Sequence, residues 1–169
     1  HGVDLVLHSA TKGIAGHNDA TIGVVAGSDD LLAWLWGFAV LHGANASPYD
    51  AYNAHRGVRT LDVRLRHQAE SARLLAEYLE AHDGVSDVRY PGLPSHPQHE
   101  LAGRQMRTMG GLLTFDLAGG IDAGRRFVEA TSIARQATSL GGPETLLCHS
   151  ATTTHVGLTP DELEASGIG

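Results

Sequence analysis

The sequence predicts an α/β fold, and three observations support that prediction. Short apolar and β-branched segments of strand length alternate with longer segments whose apolar residues recur at helical spacing. Clusters of Gly, Pro and Asp separate these segments and indicate turns. The composition is that of a globular protein, with 42% hydrophobic and 18% charged residues among 169. A chain of this length and composition can bury the core of one ordinary domain or of two small ones.

The opening part of the chain is predicted to form two strands and a helix. Apolar, β-branched runs are typical of buried strands, and a loop rich in Gly and Thr joins the two. Ser28 or Asp29 is the expected N-cap of the helix, because both side chains accept hydrogen bonds from backbone N–H groups. Trp34 and Trp36 are interpreted as packing residues. The predicted elements are a strand over residues 3–8, a loop over 11–19, a strand over 20–26 and a helix over 31–41.

Residues 49–82 are predicted to be the strongest helical region. Gly57 is a candidate interruption, and Asp83 with Gly84 is expected to end the region. The segment over residues 48–57 is the best candidate for a domain boundary. The apolar positions that recur at helical spacing are Leu61, Leu65, Ala69, Ala72, Leu75, Ala76 and Leu79.

The remaining sequence is predicted to form a mixed αβ unit. Gly and Pro at residues 141–143 indicate a tight turn. Thr159 is the expected N-cap of a last helix, with Pro160 at its first position. The other predicted elements are strands over residues 85–90, 112–117, 132–137 and 145–149, and helices over 100–106 and 122–131.

Charge and composition exclude several classes of function. The formal net charge of −7 argues against a general attraction to nucleic acid or to an anionic membrane surface. No stretch approaches the roughly 20 apolar residues of a membrane span, and no secretory signal opens the chain. Cys148 is the single cysteine, so we expect no disulfide framework and a cytoplasmic setting. The sequence starts at His1 without Met and stops at Gly169, and we interpret it as part of a longer protein.

Eleven histidines raise the question of a metal site. Zinc requires converging ligands at suitable spacing, whereas these histidines are scattered along the chain. His96 and His99 lie in a loop that contains Pro97. We therefore expect no metal, and a metal-binding module is the weakest of the functional hypotheses.

The run Ser9-Ala10-Thr11-Lys12 directly follows the first predicted strand. Burial and neighbouring cations lower the pKa of a lysine, which yields the neutral amine that condenses with an aldehyde. The hydroxyls of Ser9 and Thr11 are candidate phosphate donors in the same loop. By itself, however, the run is a weak signal and is far more typical of an ordinary lysine at the end of a strand.

Three further runs attract attention. Ser139 precedes Gly141 and Gly142, and glycines allow a backbone to approach a ligand closely. The run over residues 55–61 carries two arginines ahead of the long helical region, and residues 90–99 form a Pro-rich segment. Taken singly, they are typical of a turn, a helix start and a rigid surface loop.

Taken together and in order, these runs resemble the Cys/Met-metabolism pyridoxal-phosphate (PLP) enzymes, the group of cystathionine γ-synthase, cystathionine γ-lyase and methionine γ-lyase. The similarity extends over nearly the whole chain with family-like spacing. The matching runs are H-S-A-T-K (8–12), G-H-N-D (16–19), S-P-Y-D-A (47–51), R-G-V-R-T-L (56–61), Y-P-G-L-P-S-H-P-Q-H (90–99), S-L-G-G-P-E-T-L (139–146) and T-T-H (153–155).

The resemblance implies a fold and a set of roles. The fold is the C-terminal part of a PLP-dependent transferase of the aspartate-aminotransferase type. Residues 1–55 would end the large cofactor domain, and residues 56–169 would form most of the smaller αβ domain. Lys12 would be the catalytic lysine that holds the cofactor as a Schiff base, with Ser9 and Thr11 on its phosphate and Ser139 helping to place the substrate carboxylate. The family's other cofactor residues would precede residue 1, and its carboxylate-binding arginine would follow residue 169.

The resemblance also implies an activity in methionine and cysteine metabolism. We favour a carbon–sulfur lyase that acts on a sulfur amino acid by γ-elimination, with γ-replacement on an activated homoserine as the alternative. Thr138 stands where many cystathionine enzymes carry a glutamate, and Ala39-Val40 stands where methionine γ-lyases carry a Lys-Asp pair. At these positions, which are linked to substrate preference, the chain departs from both groups. The S-L-G-G turn ranks the homoserine sulfhydrylases lower. The family assembles as homodimers or homotetramers, and a non-catalytic scaffold is the alternative of another class.

Overall fold

The computed structural model describes residues 2–168, which form two compact units. The first unit extends to Asp62 and also includes Gly141–Pro143. The second contains Val63–Leu140 and the chain from Glu144 onward. The domain boundary expected between residues 55 and 56 stays a prediction.

The first unit opens with an antiparallel strand pair. Strand β1 (Leu5–Ser9) pairs with β2 (Gly23–Gly27) in a register that sets Leu5 opposite Gly27 and Ser9 opposite Gly23. Both strands were expected, and their bounds shift by one to three residues, but the expectation of buried strands is wrong, because no residue of either strand is buried. Ser9 and Gly23 are paired at the end of the two strands. The strand pair therefore holds together the two ends of the loop formed by residues 10–22.

Helix α1 (Asp29–His42) follows β2 and confirms the predicted helix. Ser28 occupies the N-cap position with extended backbone angles, and Gly43 ends the helix at φ 72°, where a glycine carries no steric penalty. None of the helix residues is buried. Trp34 and Trp36 are 69% and 68% exposed, so their interpretation as packing residues is wrong for the part of the chain that the structure describes.

The long helical region consists of two helices, α2 (Pro48–Val58) and α3 (Leu61–Glu80). Ser47 caps α2 by accepting the N–H of Asp50 at 3.0 Å. The interruption lies just after Gly57, close to its expected place. The N–H groups of residues 59 and 60 bond three residues back, and the Thr60 hydroxyl donates to the Gly57 carbonyl at 3.3 Å, which competes with the next helical bond.

The second unit is built on α3. Strand β3 (Val85–Arg89) pairs antiparallel with β4 (Thr114–Leu117), and α4 (His99–Gln105) and α5 (Gly120–Ala130) complete this part. Small and apolar side chains of α3 form the core with one residue of β3 and with residues that follow it. The buried members of this cluster are Ala72, Ala76, Leu79, Val88, Tyr90 and Leu93.

The C-terminal elements are short. Strands β5 (Arg135–Gln136) and β6 (Leu146–Leu147) pair in parallel, and each is shorter than the sequence predicted. A 3₁₀ turn follows, and α6 (Pro160–Ala165) begins at the predicted N-cap Thr159. Thr159 and Glu162 form a capping box, because each side chain accepts the backbone N–H of the other.

Candidate active site

Lys12 lies in a tight turn immediately after β1. Its N–H donates to the carbonyl of Ser9 at 3.2 Å, and its carbonyl accepts the N–H of Gly16 at 2.8 Å. Ala10 and Ala15 on either side are fully buried, and the carbonyl of Ala10 accepts the N–H of Ala15 at 2.8 Å. The backbone of Lys12 is therefore held on both sides, while its side chain is only half-buried.

Thr11 closes the loop over residues 10–22, hereafter the Lys12 loop. Its backbone N–H donates to the Ile22 carbonyl at 3.1 Å. Its hydroxyl accepts the Ile22 N–H at 2.8 Å and donates to the Ile22 carbonyl at 3.3 Å. Thr11 thus has a structural task that the sequence did not reveal, since its partner is eleven residues away.

The turn over Gly141–Pro143 packs against the Lys12 loop within the first unit. Gly141 has φ 85°, and a Cβ on it would stand 2.4 Å from the backbone nitrogen of Gly13 and 2.8 Å from the carbonyl carbon of Lys12. A Cβ on Gly142 would stand 2.5 Å from Oδ1 of Asn18. Both glycines are therefore required for the close approach of two backbone segments, one of which carries Lys12.

The other predicted site residues lie in different places. Ser9 is the exposed last residue of β1, next to the Lys12 turn. Ser139 belongs to the second unit, where it is exposed and adopts φ 105°. Such an angle is rare for a residue with a Cβ and is often found at functional sites. The structure thus groups Ser9, Thr11 and Lys12, and their roles toward a cofactor remain predictions, as does that of Ser139.

Helix α2 supplies contacts to the Lys12 loop that sequence reasoning missed. Asp50 Oδ1 accepts the N–H of Thr21 at 2.9 Å, and its other oxygen accepts the Ser47 hydroxyl at 2.6 Å. The Ser47 hydroxyl and then the Thr21 N–H hold the pKa of Asp50 below its usual range. Asn53 is 5% exposed and faces the same loop. The available signal was the spacing of Asp50, Asn53 and Gly57, which places them on one helix face.

Sequence reasoning also missed that Lys12 is the single lysine of the chain. The twelve basic residues are this lysine and eleven arginines. Guanidinium groups stay protonated in proteins, so they do not act as amine nucleophiles. Lys12 is therefore the only side chain of these 169 residues that can condense with an aldehyde in this way.

Residues 2–168 contain no group of three or more His, Cys, Asp or Glu side chains that could hold a metal ion. Among the helices of the same residues, none combines the length and the apolar character needed to cross a membrane.

Comparison with known proteins connects this geometry to a family. Residues 1–169 match the family described as Cys/Met metabolism PLP-dependent enzyme. The L-methionine gamma-lyase of Porphyromonas gingivalis is 44% identical over 169 residues, which cover 99% of this chain and 42% of that protein. The O-succinylhomoserine sulfhydrylase of Pseudomonas aeruginosa is 44% identical over 168 residues with the same coverage. The chain spans about two fifths of the length of the curated relatives it matches.

Solved structures agree with the sequence match. The cystathionine gamma synthase from Xanthomonas oryzae pv. oryzae, in complex with aminoacrylate and cysteine, has a TM-score of 0.92 and 44% identity, over 99% of this chain and 44% of that one. The cystathionine gamma lyase from Micromonospora echinospora has a TM-score of 0.90 at 35% identity, with the same coverage. The expected PLP-dependent fold is confirmed over this part of it. Because sequence and structure match from end to end, this chain belongs to the Cys/Met metabolism PLP-dependent enzyme family.

Proposed function

We propose that this chain carries the cofactor lysine of a PLP-dependent carbon–sulfur lyase that acts on a sulfur amino acid by γ-elimination. The observation that supports the proposal most is the held turn of Lys12, the single lysine, in a chain that matches the family throughout. The cytoplasmic setting and the homodimeric or homotetrameric assembly expected from the sequence belong to the same proposal.

The residues around Lys12 fit the cofactor. Its ε-amine can bond covalently to the aldehyde, and the exposed hydroxyl of Ser9 can donate to the phosphate. Thr11 fits less directly, because its one hydroxyl proton is directed to the carbonyl of Ile22. The absence of side chains at Gly141 and Gly142 keeps the backbone beside Lys12 uncrowded.

The proposed chemistry assigns proton transfer to Lys12. The cofactor, when bound, supplies an electron sink for the substrate carbon atoms. Nζ of Lys12 takes a proton from the substrate Cα and moves protons among the α, β and γ positions, first as a base and then as an acid. Ser139 would help to hold the substrate carboxylate in place.

Replacement at Cγ is the second candidate, and a specific observation favours it. The sulfhydrylase from P. aeruginosa is as similar to this chain, at 44% identity, as the lyase from P. gingivalis. The low rank given to sulfhydrylases from the S-L-G-G turn therefore has no support in overall similarity. An assay that separates α-keto acid release from the formation of a thiol or thioether at Cγ distinguishes elimination from replacement.

Two variants of Lys12 test the proposal. The unmodified intact protein, treated with PLP and then with borohydride, should carry a stable adduct on the peptide that contains Lys12. Lys12→Arg keeps the positive charge without a condensable amine, and Lys12→Ala removes both. Both variants should lose the adduct and fall in turnover by at least about 100-fold, because a general base of this kind contributes roughly that much.

Peptide mass spectrometry locates the adduct, since Lys12 is the only lysine among these 169 residues. Full turnover in Lys12→Ala would contradict the proposal. A folded protein that takes up no PLP and turns over no substrate would support the scaffold hypothesis instead.

A further inference from the structure

The residues of α2 that contact the Lys12 loop recur at helical spacing and so lie on one face of the helix. Asp50, Asn53, Ala54 and Gly57 stand at i, i+3, i+4 and i+7 and therefore share one side of the helix. Ala54 packs with Ala15 and Ala20 of the loop in a small buried cluster. This side of α2 is thus built for contact with the loop.

Asn53 makes the most buried of the polar contacts. Its amide Nδ2 donates to the carbonyl of Asp19 at 2.8 Å, across 34 residues of sequence. Among residues 2–168, Asn53 is the one polar residue that is buried, at 5% exposure. This hydrogen bond is partly buried, and its removal is costly because the Asp19 carbonyl would lose its donor where access to water is restricted.

Two further bonds hold the same stretch of loop. Nη2 of Arg56 lies 3.2 Å from Oδ2 of Asp19, and the N–H of Thr21 donates to Asp50 at 2.9 Å. The ion pair is partly exposed and adds less than the buried amide. Together with the bond from Asn53, these contacts attach residues 19 and 21 to α2.

Gly57 brings the two backbones together. A Cβ at this position would stand 2.1 Å from the carbonyl oxygen of Ala15 and 2.7 Å from its carbonyl carbon. Ala15 itself bonds to Ala10, on the other side of Lys12. The helix therefore contacts the loop at residue 15 as well as at residues 19 and 21.

We infer that α2 is the element that positions Lys12, with Asn53 as the principal positioning residue. The inference rests on the proposed function, in which Lys12 holds the cofactor. Thr11 fastens one side of the loop to Ile22, and α2 fastens the other side at residues 15, 19 and 21. The turn of Lys12 lies between these two attachments. Asn53 contacts no reacting atom and acts through the loop, because reacting groups must be held to within about 0.5 Å of a productive geometry.

A pair of variants tests the amide of Asn53. Asn53→Asp keeps the shape of the side chain but replaces the donor amide with an acceptor carboxylate that faces the Asp19 carbonyl, while Asn45→Asp makes the same chemical change at an exposed position ahead of α2. In the intact protein, Asn53→Asp should raise hydrogen exchange of peptides covering residues 10–22 about tenfold, as expected for the loss of a buried hydrogen bond. Exchange in α3 should stay unchanged, and Asn45→Asp should behave like the unmodified protein.

A second readout concerns Lys12 directly. The rate at which PLP becomes attached to Lys12, trapped by borohydride, should fall about tenfold in Asn53→Asp, and the pH dependence of the bound cofactor's absorbance should shift. A residue that only stabilised the fold would leave both unchanged in the folded fraction. Arg56→Gln, at a half-exposed site that does not endanger folding, should give the same changes at smaller size, and Arg56→Lys should restore them in part.

The outcomes separate the two proposals. Unchanged exchange over residues 10–22 and unchanged attachment in both Asn53→Asp and Arg56→Gln would overturn the positioning role. Increased exchange in these variants, together with an unmodified protein that takes no PLP at Lys12, would support the anchoring by α2 and overturn the proposed function.

Discussion

At the scale of single residues, both the amino-acid composition and the local geometry single out Lys12 as the reactive amine. The chain has eleven arginines and one lysine. Because guanidinium groups stay protonated, the arginines do not compete with the lysine for an aldehyde. The lysine is then placed in a turn whose flanking alanines are fully buried. In the proposed function, these two facts together favour attachment of the cofactor at Lys12, since one supplies the only lysine amine of these residues and the other a defined backbone.

Tyr90 illustrates a residue whose role is purely structural. It is 1% exposed, and its hydroxyl lies 3.1 Å from the carbonyl oxygen of Ala69 and 3.0 Å from that of Gly110. Tyr90→Phe should lower the free energy of unfolding by about 1–2 kcal/mol, because the two carbonyls lose the single O–H proton that they share in a buried place. Urea denaturation measures this loss, and Tyr78→Phe, at a 64% exposed position, should change it little.

The same residue predicts a dependence on pH. Burial raises the pKa of Tyr90, so the unfolded chain releases this proton near the usual value of about 10 while the folded chain retains it. The unfolded state then binds fewer protons, and stability falls as the pH rises from about 10 through the raised value. Tyr90→Phe should remove this part of the alkaline loss. An identical pH profile in the variant would contradict the assignment.

At the scale of elements, the helices differ in what they do with small residues. Gly57 in α2 faces a backbone at contact distance, whereas Gly103 in α4 has no atom within 4 Å of the place its Cβ would take. The same residue type thus serves a close approach in one helix and stands beside open space in the other. Propensity alone treats the two positions alike.

Alanine substitutions at these glycines should have opposite signs. Gly57→Ala should destabilise the protein by about 1–3 kcal/mol, because either α2 or the Lys12 loop must move to admit the methyl group. Gly103→Ala should stabilise it by about 0.5–1 kcal/mol through helix propensity. Thermal or urea denaturation of the two variants measures the difference. Equal effects from both would show that α2 and the loop can separate at no cost.

At the scale of the whole molecule, the distribution of apolar surface is uneven. The second unit has a buried cluster around Tyr90 and Leu93, whereas α1 has no buried residue and exposes Trp34, Trp36 and Leu41. Exposed apolar patches of this kind favour association with other surfaces. The chain also spans only about two fifths of its curated relatives.

This surface leads to a prediction about stability and solubility. The double variant Trp34→Ser/Trp36→Ser should change the free energy of unfolding by less than about 0.5 kcal/mol, as expected for exposed positions. It should also bind less of an apolar fluorescent dye. Leu79→Ala, in the buried cluster, is the contrasting control and should cost about 2–5 kcal/mol. A loss of that size in the double variant would mean that α1 is packed against other surface in solution.

Much of the local structure follows from the sequence because its causes are local. Apolar, β-branched runs identify the strands around the Lys12 loop, and helical spacing identifies the helical region of α2 and α3. Thr159 with Pro160 and Glu162 marks the start of α6, since a capping box involves only neighbours. The short parallel pair β5–β6 is less predictable, because its extent depends on which residues find partners across the chain.

The sequence by itself determined that Lys12 lies in a family motif, that it is the single lysine, and which elements flank it. Only the tertiary structure decided that Thr11 binds Ile22, that Asn53 of α2 holds Asp19, and that Gly141 rests against the backbone of Lys12. The physical reason is range. A motif records the residue types that chemistry needs, whereas buried hydrogen bonds and backbone contacts between distant segments arise only when packing brings those segments together and excludes water from between them.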